Sequence, residues 1–87
     1  MFTLKDLKPN DWCVQADGDV MRTVRLNGLL VLVGKGQYCD LNGFHDDLTY
    51  QDIPRLSIDR VYRPRAFHQL LRTNYKDGEL MFERKDS

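Results

Sequence analysis

Asn27-Gly28 separates two apolar-rich segments, Val20–Leu26 and Leu29–Val33, and no other feature narrows the fold of this chain as much. A two-residue hairpin loop wants positive φ at both central positions, which Asn and Gly tolerate best. The flanking segments are therefore expected to pair antiparallel. Similar punctuation recurs at Asp17-Gly18-Asp19, Gly34-Lys35-Gly36, Asn42-Gly43 and Lys76-Asp77-Gly78. Between these turns lie short stretches with the period of a strand. Trp12, Val14 and Ala16 alternate with Cys13 and Gln15; Gln37–Leu41 and Ile58–Tyr62 follow. Leu80 and Phe82 alternate with Glu79, Met81 and Glu83. The run Leu29–Val33 reads as the most buried strand.

Two segments depart from the strand period. Thr3–Lys8 reads as one helical turn, capped by Thr3 with Asp6 as its partner and ended by Pro9-Asn10-Asp11. Ala66, Phe67, Leu70 and Leu71 have helical spacing, with Pro64 suited to a first turn. The Asp-rich stretch Phe44–Arg55 reads as an ordered loop in which Asp46 and Asp47 cap turns. At 87 residues the chain has room for one domain, spanning 1–87. The expected class is mainly β: a small antiparallel SH3-like barrel or curved sheet with one short C-terminal helix. A flat meander of this size would be poorly stable, which favours closure or pairing with a second copy.

Charge excludes more than it identifies. Thirteen basic and thirteen acidic residues cancel, so nonspecific nucleic-acid binding is not the expected main activity. Asp40, Asp46, Asp47 and Asp52 fall in a stretch without a base, whereas Arg55, Arg60, Arg63, Arg65 and Arg72 share theirs with Asp59 alone. The plainest reading is that these segments face each other as solvated ion pairs. The longest apolar run is too short to span a bilayer, so no membrane association is expected. The N-terminus lacks the pattern of a signal peptide, which makes the cytoplasm the expected compartment. There Cys13 and Cys39 would be reduced, small apolar residues.

Catalytic and metal chemistry find little support. Cys13, Cys39, His45 and His68 are the right types for zinc, but no two cysteines stand a few residues apart. The aspartates lack the alternating oxygen ligands of a calcium loop. Neighbouring carboxylates such as Asp46 and Asp47 diverge in extended chain. No nucleophile elbow or phosphate loop is present. The expectation is a non-enzymatic protein with no cofactor and no metal.

Recognition is better served. Arg60 and Tyr62 share one face of a regular strand, with Arg63 and Arg65 just beyond. Trp12 adds a large amphipathic ring. Arginine beside an aromatic ring suits a nucleotide phosphate and base, or an acidic protein patch. An ion-pair ladder with a core-packed tyrosine would use the same residues.

Several motifs form a wider pattern: Leu4-x-x-Leu-x-Pro9, Val20-x-x-x-Val-x-x-Asn-Gly28, Leu30-Val-Leu-Val33, Leu41-x-x-Phe44-x-Asp-Asp-Leu-Thr49, Ile58-Asp-Arg-Val-Tyr62 and Leu80-Met-Phe-Glu-Arg84. Along nearly its whole length the chain resembles a family of small phage and prophage proteins with compact β-rich domains. The resemblance implies a viral accessory protein working in the host bacterial cytoplasm. It would counter bacterial immunity by sequestering a nucleotide-type signalling molecule or inhibiting a host defence protein, without catalysis and at a subunit interface. Arg60, Tyr62, Arg63, Arg65 and Trp12 are the expected binding residues. The alternatives are a nucleic-acid-binding SH3-like module and a structural or assembly adaptor.

Overall fold

The computed structural model describes residues 1–34, 36–65 and 74–84. These residues form a mainly β structure of six antiparallel strands in one open sheet. The strands are β1 (Trp12–Gln15), β2 (Val20–Leu26), β3 (Leu29–Gly34), β4 (Gln37–Asp40), β5 (Ile58–Arg63) and β6 (Glu79–Glu83). Their spatial order is β4-β3-β2-β1-β5-β6, so consecutive hairpins build one half and β5 returns to the free side of β1. β4 and β6 are edges, and the sheet takes the open form rather than the closed barrel. The expected C-terminal helix falls on residues outside those described.

Turn chemistry sets the hairpin registers. Asn27 and Gly28 adopt φ of 51° and 83°, which joins Leu26 to Leu29 as a directly paired couple. Gly18, at φ 91°, lets the next hairpin close with Gln15 N–H donating to the Asp19 carbonyl at 2.8 Å. In the N-terminal 3-10 turn Leu4–Asp6, the Asp6 carboxylate accepts the Thr3 N–H at 2.8 Å. This supplies a partner for an amide that the turn itself leaves unsatisfied.

One sheet face carries the core. Cys13, Met21, Leu32, Ile58 and Val61 project from it and meet Leu7, Phe44 and Leu48 from the connecting segments. A bulge in β5 makes this possible: Val14 pairs with Arg60 but Gln15 pairs with Ile58, leaving Asp59 as the extra residue. Ile58 and Val61, three apart, thereby both reach the core. A second irregularity, between the pairs Val61–Phe82 and Tyr62–Leu80, lets Met81 and Phe82 both pack against it.

The Asp-rich loop is ordered by its own side chains. Asp47 Oδ1 accepts the Thr49 N–H at 3.0 Å and the Thr49 hydroxyl at 2.6 Å. The backbone between them is forced to a positive φ of 73° at Leu48, whose side chain is fully buried. From there the Leu48 carbonyl accepts the Ile58 N–H at 2.9 Å, fastening the loop to the start of β5.

Two sequence expectations change. β3 lies one place in from the β4 edge, so only Val31 and Leu32 of its apolar run are buried; central β1 buries three of its four residues. The expected pairing of acidic and basic segments is replaced, at Arg55 and Arg63, by partners outside the acidic stretch: Arg55 pairs with Asp17 and Arg63 with Asp11, while Arg84 pairs with Asp59. Asp40 and Asp47 instead cap turns, each accepting a backbone N–H two residues ahead.

Candidate functional site

The register of β1 against β5 separates core from surface residue by residue. Cys13 pairs with Val61 on the core side. Their neighbours, Trp12 opposite Tyr62 and Val14 opposite Arg60, therefore project from the other face. On the far side of β1, Arg22 stands opposite Trp12 and holds its guanidinium 5.1 Å from the indole centroid, within cation–π range. Arg22 Nη2 also donates to Asn10 Oδ1 at 3.1 Å, which fixes where the side chain lies.

Tyr62 is supported from the other direction. Its ring meets Tyr75 edge-on with centroids 5.3 Å apart. Tyr75 sits on the 3-10 turn Tyr75–Asp77, which approaches β5 closely because Gly78 has no side chain. A Cβ there would fall 2.6 Å from the Arg63 carbonyl oxygen. Trp12, Arg22, Arg60 and Tyr62 are all half-buried, as expected for side chains laid along a sheet rather than extended into solvent.

The same face carries an apolar field. Leu26, Leu29, Val33, Tyr38 and Leu80 are exposed, with Tyr38 74% accessible. Register places all of them on the Trp12 side: Leu26 faces Leu29, Val33 faces both Arg22 and Tyr38, and Leu80 faces Tyr62. Asp40 and Glu83 stand on this face opposite Val31 and Arg60.

The five expected residues thus have different surroundings. Trp12, Arg60 and Tyr62 come together. Arg63 turns to Asp11, which it meets through Nε and Nη2 at 2.8 Å each. Those hydrogen bonds raise the Arg63 pKa above its ordinary value, so the guanidinium stays charged. Arg65 follows β5 at an exposed position. Arg22 and Tyr75 complete the cluster although the sequence did not single them out for it. Arg22 could be found only by counting register through the Asp17-Gly18-Asp19 hairpin, which sets Trp12 opposite it.

Among the described residues no three His, Cys, Asp or Glu side chains are grouped as metal ligands would be. His68 of the expected zinc set lies outside them. No helix of the described residues is long and apolar enough to cross a membrane. Comparisons with protein-family models, with curated proteins and with solved structures gave no match.

Proposed function

We propose that this chain is a non-enzymatic accessory protein of a bacterial virus, acting in the host cytoplasm to counter immunity by occupying a host defence protein. The observation that carries the binding role is the Trp12–Tyr62 cross-strand pair, flanked by Arg22 and Arg60 on a face rich in exposed apolar residues. Trp, Tyr and Arg are the residue types that dominate protein–protein hot spots, and an apolar surround excludes water from them. The viral context rests on the sequence resemblance alone.

A protein partner fits this face better than a nucleotide-type signal does. Small ligands are held in concave sites. Neither the cavity beside Gln15 nor the one beside Leu30 is lined by Trp12, Arg60 or Tyr62. Nucleic acid is less favoured because Asp40 and Glu83 share the face with the arginines and the net charge is zero.

The test is virus plating on bacteria that each carry one defined defence system, with and without this chain. Restored plating against one system, lost on Arg60→Glu with thermal stability retained, is the expected result. Plating unchanged across all systems would overturn the anti-defence reading. Full activity of the folded Arg60→Glu protein would move the binding surface elsewhere.

A further inference from the structure

The two edges of the sheet differ in how they meet solvent. At β6 the ladder is bulged, because Val61 pairs with Phe82 but Tyr62 with Leu80, and carboxylates stand at both ends, Glu79 and Glu83. Bulges and edge charges keep a strand from pairing with another chain. Two β6 strands laid antiparallel about Met81 would also set Glu79 against Glu83 of the other copy, which like charge disfavours. β4 lacks this protection. Its register against β3 is regular from Gln37 to Asp40, and the strand holds no proline, no lysine and a single charge. Gln37, Tyr38 and Asp40 are all exposed.

Hydrogen-bond direction can be followed strand by strand to this edge. Thr23 N–H donates to the Asp11 carbonyl, so Thr23 faces β1 and its neighbours Arg22 and Val24 face β3. Their partners Val33 and Val31 therefore turn to β2, while Leu32 and Gly34 turn to β4 and meet Cys39 and Gln37. This leaves the backbone N–H and C=O groups of Tyr38 and Asp40 directed off the sheet. Cys39 Sγ lies 3.6 Å from the Asp40 carbonyl oxygen, which puts the thiol beside the open edge.

We propose that β4 is the contact surface for a second copy of this chain, the two strands pairing antiparallel about a two-fold axis at Cys39. Tyr38 then lies opposite Asp40 of the second copy, and the outward N–H and C=O groups of both residues are paired on each side of the axis. The exposed Tyr38 hydroxyl comes beside the Asp40 carboxylate of the second copy, whose Oδ1 accepts the Asn42 N–H and whose Oδ2 is left to accept from the phenol. An axis at Asp40 would oppose two carboxylates, and one at Tyr38 would set Asp40 against Gly36 and lose the phenol contact. At the chosen axis Cys39 faces its own counterpart in a non-hydrogen-bonded pair, with Cα atoms about 4.5 Å apart. That spacing lies within disulfide range. The Trp12–Tyr62 face stays open in both copies, so this contact does not depend on the role proposed for that face.

Sedimentation velocity of the full-length protein over a concentration series, with diamide cross-linking in parallel, tests the contact. Diamide joins two thiols as a disulfide and takes up their two hydrogens. A monomer–dimer equilibrium is expected, with a covalent dimer that still forms in Cys13→Ala and is lost in Cys39→Ser. Tyr38→Pro removes an N–H that the ladder with β3 does not use, at the kind of edge position where proline is tolerated, and should sediment as a folded monomer. In the unsubstituted chain, hydrogen exchange of the Tyr38 and Asp40 amides should slow as concentration rises, a readout that needs no variant to fold. A monomer at every concentration would overturn the proposal, as would a dimer that persists in folded Tyr38→Pro. A dimer that gives no Cys39 cross-link, or whose Tyr38 and Asp40 amides exchange as in the monomer, would overturn it equally and move the second copy to the Trp12 face.

Discussion

Arg63 grips Asp11 with two parallel hydrogen bonds, Nε to Oδ1 and Nη2 to Oδ2, both at 2.8 Å. Asp11 is fully buried, and its Oδ2 also accepts the Lys8 N–H at 2.9 Å. Arg63 Nη2 reaches on to the Asp6 carbonyl at 3.0 Å. One guanidinium therefore ties the N-terminal turn to the end of β5.

Replacing Arg63 by Met keeps the aliphatic stem but strands a buried carboxylate. The expected loss is about 3 kcal/mol, since removing one partner of a buried pair leaves the other uncompensated. Urea unfolding at neutral pH checks this. Arg63→Lys should recover only part of the loss, because an ammonium cannot reproduce the two-pronged geometry. A change below about 0.5 kcal/mol in Arg63→Met would mean that the pair behaves like an exposed surface ion pair.

Leu48 combines full burial with a φ of 73°, a conformation that side chains rarely adopt. Leu48→Ala removes the core contact and keeps the backbone strain, so it should cost about 3 kcal/mol in urea unfolding. Leu48→Gly loses the same contact but relieves the strain, and should be no worse than the alanine variant despite its greater chain entropy. A glycine variant clearly less stable than alanine would contradict the positive φ.

Much of this architecture is legible in the chain, and the illegible part has definite causes. Asn27-Gly28 predicts its hairpin because the two residue types that tolerate positive φ stand together, and both take it. Period-two alternation likewise places Arg60 and Tyr62 on one face. It fails between Ile58 and Val61, where the Asp59 bulge puts residues of opposite parity into the same core. The return of β5 to β1 is a long-range pairing with no local signature. Arg63 is close to Arg60 in sequence, but its destination depends on the burial of Asp11. In sequence that aspartate looks only like the end of a turn. The two missing cluster members follow the same logic: Arg22 depends on cross-strand register and Tyr75 on the close approach allowed by Gly78.

The Thr49 hydroxyl and N–H hold the Asp47 carboxyl below the 3.8 of an ordinary aspartate, with the charges of Arg84 and His45 adding to the effect. A carboxyl depressed by folding stabilises the folded state above its unfolded pKa. That contribution fades as pH falls from 3.8 through the folded value. An NMR titration should show an Asp47 midpoint below 3.8, and Thr49→Val should raise it by removing the hydroxyl. An unchanged midpoint in that variant would show that the hydroxyl has no part in the shift.

Cys13 and Cys39 are both free thiols, but their surroundings separate them. Burial pushes the Cys13 thiol from 9.0 up to about 12, reinforced by the nearby Asp11 charge and opposed by the Thr23 hydroxyl at 3.7 Å. Cys39, half-buried on β4, is also raised, by burial and by Asp40. Because thiolate is the reactive form, labelling by a disulfide reagent at about pH 8 should be biphasic, with Cys39 first. Cys13 should react only through opening of the core, so urea accelerates the slow phase and Cys13→Ala removes it. The same raised pKa gives a stability term that is complete below pH 9.0. As pH rises from 9.0 towards about 12, the unfolded thiol ionises while the folded one resists, and that term is lost. The alkaline decline should therefore be shallower in Cys13→Ala than in the parent protein. Equal slopes, or two equally fast labelling phases, would place Cys13 outside the sealed core.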